Sequence, residues 1–261
     1  MPRRTDLNPA YRFAAGVLRP MLMRFTRRDW TGYEHFPTEG GFIVCPNHIS
    51  YADPLLLAHY VFDSGRAPHF LAKESVFRIP VAGKIIAKAE QIPVYRESGQ
   101  AADAFQAAVQ AVHDNKVVVV YPEGTITRDP GIWPMTGKTG AARIALETRC
   151  PVIPVAQWGA QEIIAPYDKK VALFPRKTIR MRAGAPVDLS DLYGQQRSQA
   201  VLREATERIM SAITRELEVL RGEPAPAERF DARTSGLPRI GRPDRRDGRR
   251  RRFRRGRKVS G

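Results

Sequence analysis

The segment Asn47-His48-Ile49-Ser50-Tyr51-Ala52-Asp53-Pro54 sets an imidazole five residues ahead of a carboxylate. Histidine and carboxylate side chains are the residue types that move protons near neutral pH. In a continuous helix these two would point about 140° apart, because each residue turns about 100°. They can meet if His48 sits in a loop and Asp53 opens a helix. Pro54 supports that break, since proline suits the first helical position and restricts the residue before it. A purely structural role is also open. Asp53 could cap the helix that Pro54 begins, or Ser50 and Asp53 could form a capping box, and capping is compatible with chemistry.

Two further segments place polar groups at strand ends. A β-branched run, Lys-Val-Val-Val-Val-Tyr at 116–121, leads into Pro122-Glu123-Gly124-Thr125-Ile126-Thr127-Arg128. Gly124 allows close approach of a ligand to the backbone, and Thr125 and Thr127 offer hydroxyls. Glu123 is a costly charge there unless it is paired. The segment Gln91-Ile92-Pro93-Val94-Tyr95-Arg96 ends a strand with a guanidinium, which could grip a phosphate bidentately or lie in a surface ion pair. Lys73, Arg128 and Lys138 are further basic candidates. Each segment alone also reads as an ordinary strand-to-loop turn.

The elements that must position these groups follow from apolar periodicity. Residues 41–46, 68–73, 91–95, 116–121, 151–156 and 178–183 read as strands. Residues 54–63, 81–88, 100–115, 138–148 and 192–220 read as helices. Such alternation predicts an α/β fold with a central, largely parallel mixed sheet flanked by helices. Ahead of it, residues 9–25 carry Tyr11, Ala14, Ala15, Leu18, Leu22 and Phe25 on one helical face, with Arg12, Arg19 and Arg24 between them. That pattern fits an amphipathic anchor at an anionic membrane surface, or a helix packed on the body. Pro20 would break or kink it and allows a two-helix hairpin.

The chain has 261 residues, with 43% hydrophobic residues and a formal net charge of +16. The charge is concentrated at the ends. Residues 1–28 hold seven arginines against Asp6 alone, and residues 222–261 hold 14 basic and 5 acidic side chains. We therefore divide the chain into a basic amphipathic segment at 1–34, a catalytic body at 35–221 and an arginine-rich tail at 222–261. The tail is poor in large apolar groups and is expected to be disordered. No apolar run approaches the roughly 18 residues of a membrane span. No secretory h-region is visible either, because Arg12 and Arg19 interrupt it. Two cysteines are too few for a disulfide framework, which suits a reducing compartment. Arginine runs also suit nonspecific nucleic-acid contact, but the body carries no nucleic-acid-binding signature.

Taken together, these segments resemble the PlsC-like lysophospholipid acyltransferase family. Four blocks stand in that family's order: NHxxxxD at Asn47, His48 and Asp53; Ile-Pro-Val-x-Arg from Ile92 to Arg96; PEGT from Pro122 to Thr125; and Val152-Ile153-Pro154-Val155 with Trp158 and Gly159 beyond it. The resemblance covers residues 35–185. Two positions depart from it: Glu90 stands where glycine is common, and Ile126 where arginine often follows the PEGT core.

The resemblance implies transfer of a fatty acyl group from acyl-CoA or acyl carrier protein to the hydroxyl of 1-acylglycerol-3-phosphate. Glycerol-3-phosphate, another lysophospholipid or a glycolipid are alternative acceptors. His48 would be the general base and Asp53 would orient it, with no acyl-enzyme. Backbone N–H groups near the PEGT turn would meet the oxyanion. Arg96, Glu123, Gly124 and Thr125 would hold the acceptor's phosphate end, with Asn47, Ser50, Lys73, Arg128 and Lys138 as further substrate contacts. Neither metal nor redox cofactor is implied, nor a specific nucleic acid. The protein is expected to work peripherally on the cytoplasmic face of a membrane.

Overall fold

The computed structural model describes residues 9–80, 82–94, 101–232, 234 and 235. Seven strands form one sheet: β1 (Thr26–Thr31), β2 (Phe42–Pro46), β3 (Pro68–Lys73), β4 (Ile92–Val94), β5 (Val117–Val119), β6 (Val152–Trp158) and β7 (Lys177–Ala183). Their order is β1-β7-β6-β2-β5-β3-β4. Every pairing is parallel except β6 with β7. The expected largely parallel mixed sheet, flanked by helices, is what forms.

The helices are α1 (Pro9–Phe25), α2 (Asp53–Asp63), α3 (Glu74–Phe77), α4 (Ala82–Lys88), α5 (Ala101–His113), α6 (Gly140–Thr148) and α7 (Gln199–Arg221). Strand side chains alternate between the two faces, as the pleat requires. Ile43, Cys45, Val118 and Val152 pack under Ala108 and Val112 of α5, Ala145 of α6 and Ile209 and Ile213 of α7. Phe42, Val44, Val119 and Ile153 pack under Leu56, Leu57 and Tyr60 of α2. Because both faces are covered, the central strands read as unbroken apolar runs.

The strand order places the chemistry. From β2 the chain crosses towards β3 and β4, on one side. From β5, beside β2, it crosses to β6 on the other side. These two connections pass over opposite faces of the sheet, α2 on one and α6 on the other, and adjacent strands that do so leave a crevice at their carboxyl ends. The 47–53 loop follows β2 and the PEGT turn follows β5, so both face that crevice.

Three elements differ from the sequence expectation. β1 had not been assigned as a strand; it is a charged edge strand, Thr-Arg-Arg-Asp-Trp-Thr, mostly exposed. α1 is one helix running through Pro20 rather than a hairpin. The carbonyl that the Pro20 ring crowds belongs to Gly16, where the backbone adjusts most easily. Residues 222–232, assigned to the disordered tail, pack on the body: Phe230 accepts a hydrogen bond from Thr136 N–H at 3.0 Å.

In α1 the expected apolar face is half-buried against the body, with Tyr11 stacked on Phe62 and Arg19 bonded to Asp63 Oδ1 at 2.9 Å. A second stripe faces outward: Phe13, Val17 and Met21 are 62%, 53% and 42% exposed. No helix among the described residues is long and apolar enough to cross a membrane.

Candidate active site

His48 and Asp53 meet as their spacing permits. Asp53 begins α2 with Pro54 behind it, and the loop folds His48 back over the helix start. His48 Nδ1 lies 2.8 Å from Asp53 Oδ2. The N–H groups of Ile49 and Ser50 donate to the same oxygen at 2.6 and 2.8 Å. That oxygen is therefore an acceptor, so Nδ1 carries the imidazole proton and Nε2 carries the lone pair. Asp53 is not the cap that the sequence allowed: the N-cap is Ala52 and no side chain caps the helix, while the Asp53 carboxyl fastens the preceding loop and holds the ring. The Asp53 side chain is fully buried, whereas His48 keeps 17% of its side chain exposed. Burial pushes the Asp53 carboxyl above its usual range, and the His48 imidazole and the two N–H groups oppose that.

Glu123 locks this loop to its neighbour. Its Oε1 accepts from His48 N–H at 2.9 Å and its Oε2 from Met135 N–H at 3.0 Å. In return, Thr127 N–H donates to the His48 carbonyl at 2.7 Å. Glu123 is 2% exposed. Burial pushes its carboxyl up to about 8; the two N–H groups work against that, and Asp53 and Asp129 add to it. A buried carboxyl that accepts from two backbone donors ties the two loops together.

Asn47 and Ser50 also occupy bracing positions. The Asn47 amide donates to the Gln157 carbonyl at 3.1 Å and accepts from Gln157 N–H at 2.8 Å, fastening β2 to β6. Ser50 Oγ donates to the Ile164 carbonyl at 2.7 Å and accepts from Ala52 N–H. Both residues are buried.

Gly124 has φ of 67°, the left-handed region in which glycine is favoured. Its N–H closes the turn onto the Tyr121 carbonyl at 3.0 Å. A Cβ at this position would stand 2.6 Å from Lys138 Nζ, so the absence of a side chain lets the ammonium lie over the turn. Thr125 Oγ1 and Arg128 Nε approach the hydroxyl of Tyr167 at 3.4 and 3.2 Å. Lys138 thus lies over Gly124, while Thr125 and Arg128 share the Tyr167 hydroxyl. Lys73 ends β3, paired with Val94 of β4. Arg96 lies outside the described residues. Among the described residues no three His, Cys, Asp or Glu side chains group as a metal site would require.

Sequence reasoning missed four contributors. The Tyr121 ring lies tilted against His48, with ring centroids 4.3 Å apart and the planes at 35°. Tyr167 donates to the Ile126 carbonyl and meets Arg128. Met135 supplies an N–H to Glu123, and Gln157 holds Asn47. Only Tyr121, at the end of the apolar run before PEGT, carried a sequence signal.

The His48 imidazole, held by the buried Asp53 carboxyl and partly exposed, is a group of the type that can take up a proton. The model of the Acyltransferase family matches residues 27–158, just over half of the chain, and the chain belongs to that family. It is 28% identical over 142 residues to the chloroplastic 1-acyl-sn-glycerol-3-phosphate acyltransferase BAT2 of Brassica napus, covering 54% of this chain and 40% of the relative. It is 30% identical over 126 residues to the 1-acyl-sn-glycerol-3-phosphate acyltransferase of Borreliella burgdorferi, covering 48% of each. The matches thus span less than half the length of these relatives. The crystal structure of the 1-acyl-sn-glycerophosphate acyltransferase PlsC from Thermotoga maritima shares the fold, with a TM-score of 0.61 and 24% identity over 87% of this chain and 86% of that one.

Proposed function

We propose that the protein transfers a fatty acyl group from acyl-CoA or an acyl carrier protein to the free hydroxyl of 1-acylglycerol-3-phosphate, giving phosphatidic acid. The observation that carries this reading is the His48–Asp53 pair at 2.8 Å, with the carboxylate fully buried and the imidazole reachable. An alcohol is a poor nucleophile until it loses its proton. His48 Nε2 takes that proton as the alcohol oxygen attacks the thioester carbonyl, an effect worth about 10²–10⁴ in rate. Asp53 holds the Nδ1 proton and stabilises the imidazolium that forms. The tetrahedral intermediate then expels the thiolate, and the imidazolium returns the proton to it. The acceptor alcohol is itself the nucleophile, so no acyl-enzyme forms.

Lys138, Arg128 and Thr125, beside Gly124, are the groups that would meet the acceptor's phosphate, with Lys73 and Arg96 as further cations. The exposed Phe13, Val17 and Met21 stripe, flanked by exposed Arg12 and Arg24, would rest on an anionic bilayer and bring the crevice to its substrates. On this reading the protein works peripherally on the cytoplasmic face of a membrane.

The test is purified full-length protein given lysophosphatidic acid and acyl-CoAs of graded length, then acyl carrier protein as donor. Glycerol-3-phosphate, another lysophospholipid and a glycolipid serve as competing acceptors. Phosphatidic acid is the expected product. A preference for an acceptor lacking phosphate would contradict the reading.

A further inference from the structure

The loop that supports Glu123 is itself held from beyond α7. Three of its N–H groups donate in three directions: Met135 to Glu123 Oε2 at 3.0 Å, Thr136 to the Phe230 carbonyl at 3.0 Å, and Lys138 to the Pro122 carbonyl at 2.8 Å. Between them, Gly137 lies hard against α7. A Cβ there would stand 2.8 Å from both Met210 Cγ and Thr206 Cγ2. The loop is thus wedged between the PEGT turn, α7 and the chain that follows α7.

That following chain is anchored along its length. Arg221, at the end of α7, lies between the rings of Trp133 and Trp158, 4.0 and 4.3 Å from their centroids, and donates to the Gly131 carbonyl at 2.7 Å. Ala225 N–H donates to Glu218 at 2.8 Å, and Ala225 packs with Trp133, Ala156 and Leu217. Arg229 pairs with Glu207 and donates to Ser211 Oγ at 2.6 Å, which fixes the carbonyl of Phe230 next door.

We propose that residues 223–231 are a strap that positions His48 through three consecutive hydrogen bonds, two of them accepted by the Glu123 side chain. Phe230 holds Thr136; Met135, next to Thr136, holds Glu123; and Glu123 holds His48 N–H. The proposal rests on the reading of His48 as the base. The strap lies C-terminal to residues 27–158, which the family model matches. Its residues are positioning residues, since none touches the reacting atoms.

The test uses full-length protein carrying Arg229→Ala, Arg229→Lys or Ala225→Asp. Arg229→Ala is expected to lower kcat about tenfold, with KM for donor and acceptor within about twofold, because small displacements of a catalytic group cost rate more than binding. Arg229→Lys, which keeps the charge, should restore at least half of the lost kcat, and Ala225→Asp should act in the same direction as Arg229→Ala. Amide hydrogen exchange should quicken at Thr136, Met135 and His48 while β2 and α7 stay protected. Unchanged kcat, unchanged exchange at those three amides, or a uniform rise in exchange across the molecule would overturn the proposal. If the unaltered chain transfers no acyl group, the functional reading falls, and the exchange measurement still decides whether the ties exist.

Discussion

Asp53 and Glu123 form a natural pair of opposites. Both are buried acids at the carboxyl ends of adjacent strands, and both accept two backbone N–H groups. Asp53 gathers its donors on one oxygen and adds an imidazole to them. Glu123 divides its oxygens between two loops and touches no titrating partner directly. Equal burial therefore supports different work: one carboxylate sets the state of a reactive ring, and the other sets the distance between the loops that present it. On the proposed function, what separates the acid that serves the reaction from the one that braces the loops is the nature of the donor.

Three substitutions test that contrast. The largest effect is expected from His48→Ala, a loss of about 10²–10⁴ in kcat. Circular dichroism should show the fold retained, and near-normal turnover would refute the mechanism. Asp53→Asn should follow, with kcat down by about 10²–10⁴ because the wrong ring nitrogen can then hold the proton. Its unfolding free energy should change far less than its rate. Glu123→Gln should reverse that emphasis. It leaves a backbone N–H facing an amide, costing about 1–3 kcal/mol in urea unfolding with kcat down about tenfold. Equal rate losses for Asp53→Asn and Glu123→Gln would erase the distinction.

Glu123 also has a pH signature. Its carboxyl is raised from 4.5 to about 8 by burial, so the native state holds the proton more tightly than the unfolded one. Its contribution to stability is complete below about pH 4.5 and is lost as pH rises through about 8, at up to about 1.4 kcal/mol per pH unit. Measured against Glu123→Gln, the unaltered protein should lose stability across that window, and parallel curves would show that Glu123 does not titrate there. The smallest effect belongs to Glu90→Gly. Glu90 has φ of 57° and pairs with Lys116 at 2.6 Å. Relief of the left-handed backbone and loss of a half-exposed ion pair should nearly cancel, leaving thermal stability within about 1 kcal/mol.

The same residues show how far a sequence can be read. The central strands were legible because burial on both faces makes them continuously apolar, as in Phe42–Pro46. β1 was not, because an edge strand needs only one hydrogen-bonded neighbour and its charged residues face solvent. The His48–Asp53 pair was legible because Pro54 announces the helix start locally. The Gln157 and Met135 contacts were not, because they join positions 110 and 12 residues apart through the register of the sheet and the path of a loop. Glu123 illustrates both sides. The cost of its charge pointed to a partner, but only the fold shows that the partners are backbone N–H groups. The glycine common in the family at position 90 has a visible reason in the positive φ there.

The account stands on which nitrogen of His48 is bare. Nitrogen-15 NMR of the labelled protein reads this directly. The predicted spectrum has the proton on Nδ1 and an unprotonated Nε2, with the preference lost in Asp53→Asn. A proton resident on Nε2 in the unaltered protein would leave no base to activate an alcohol, and would contradict the mechanism.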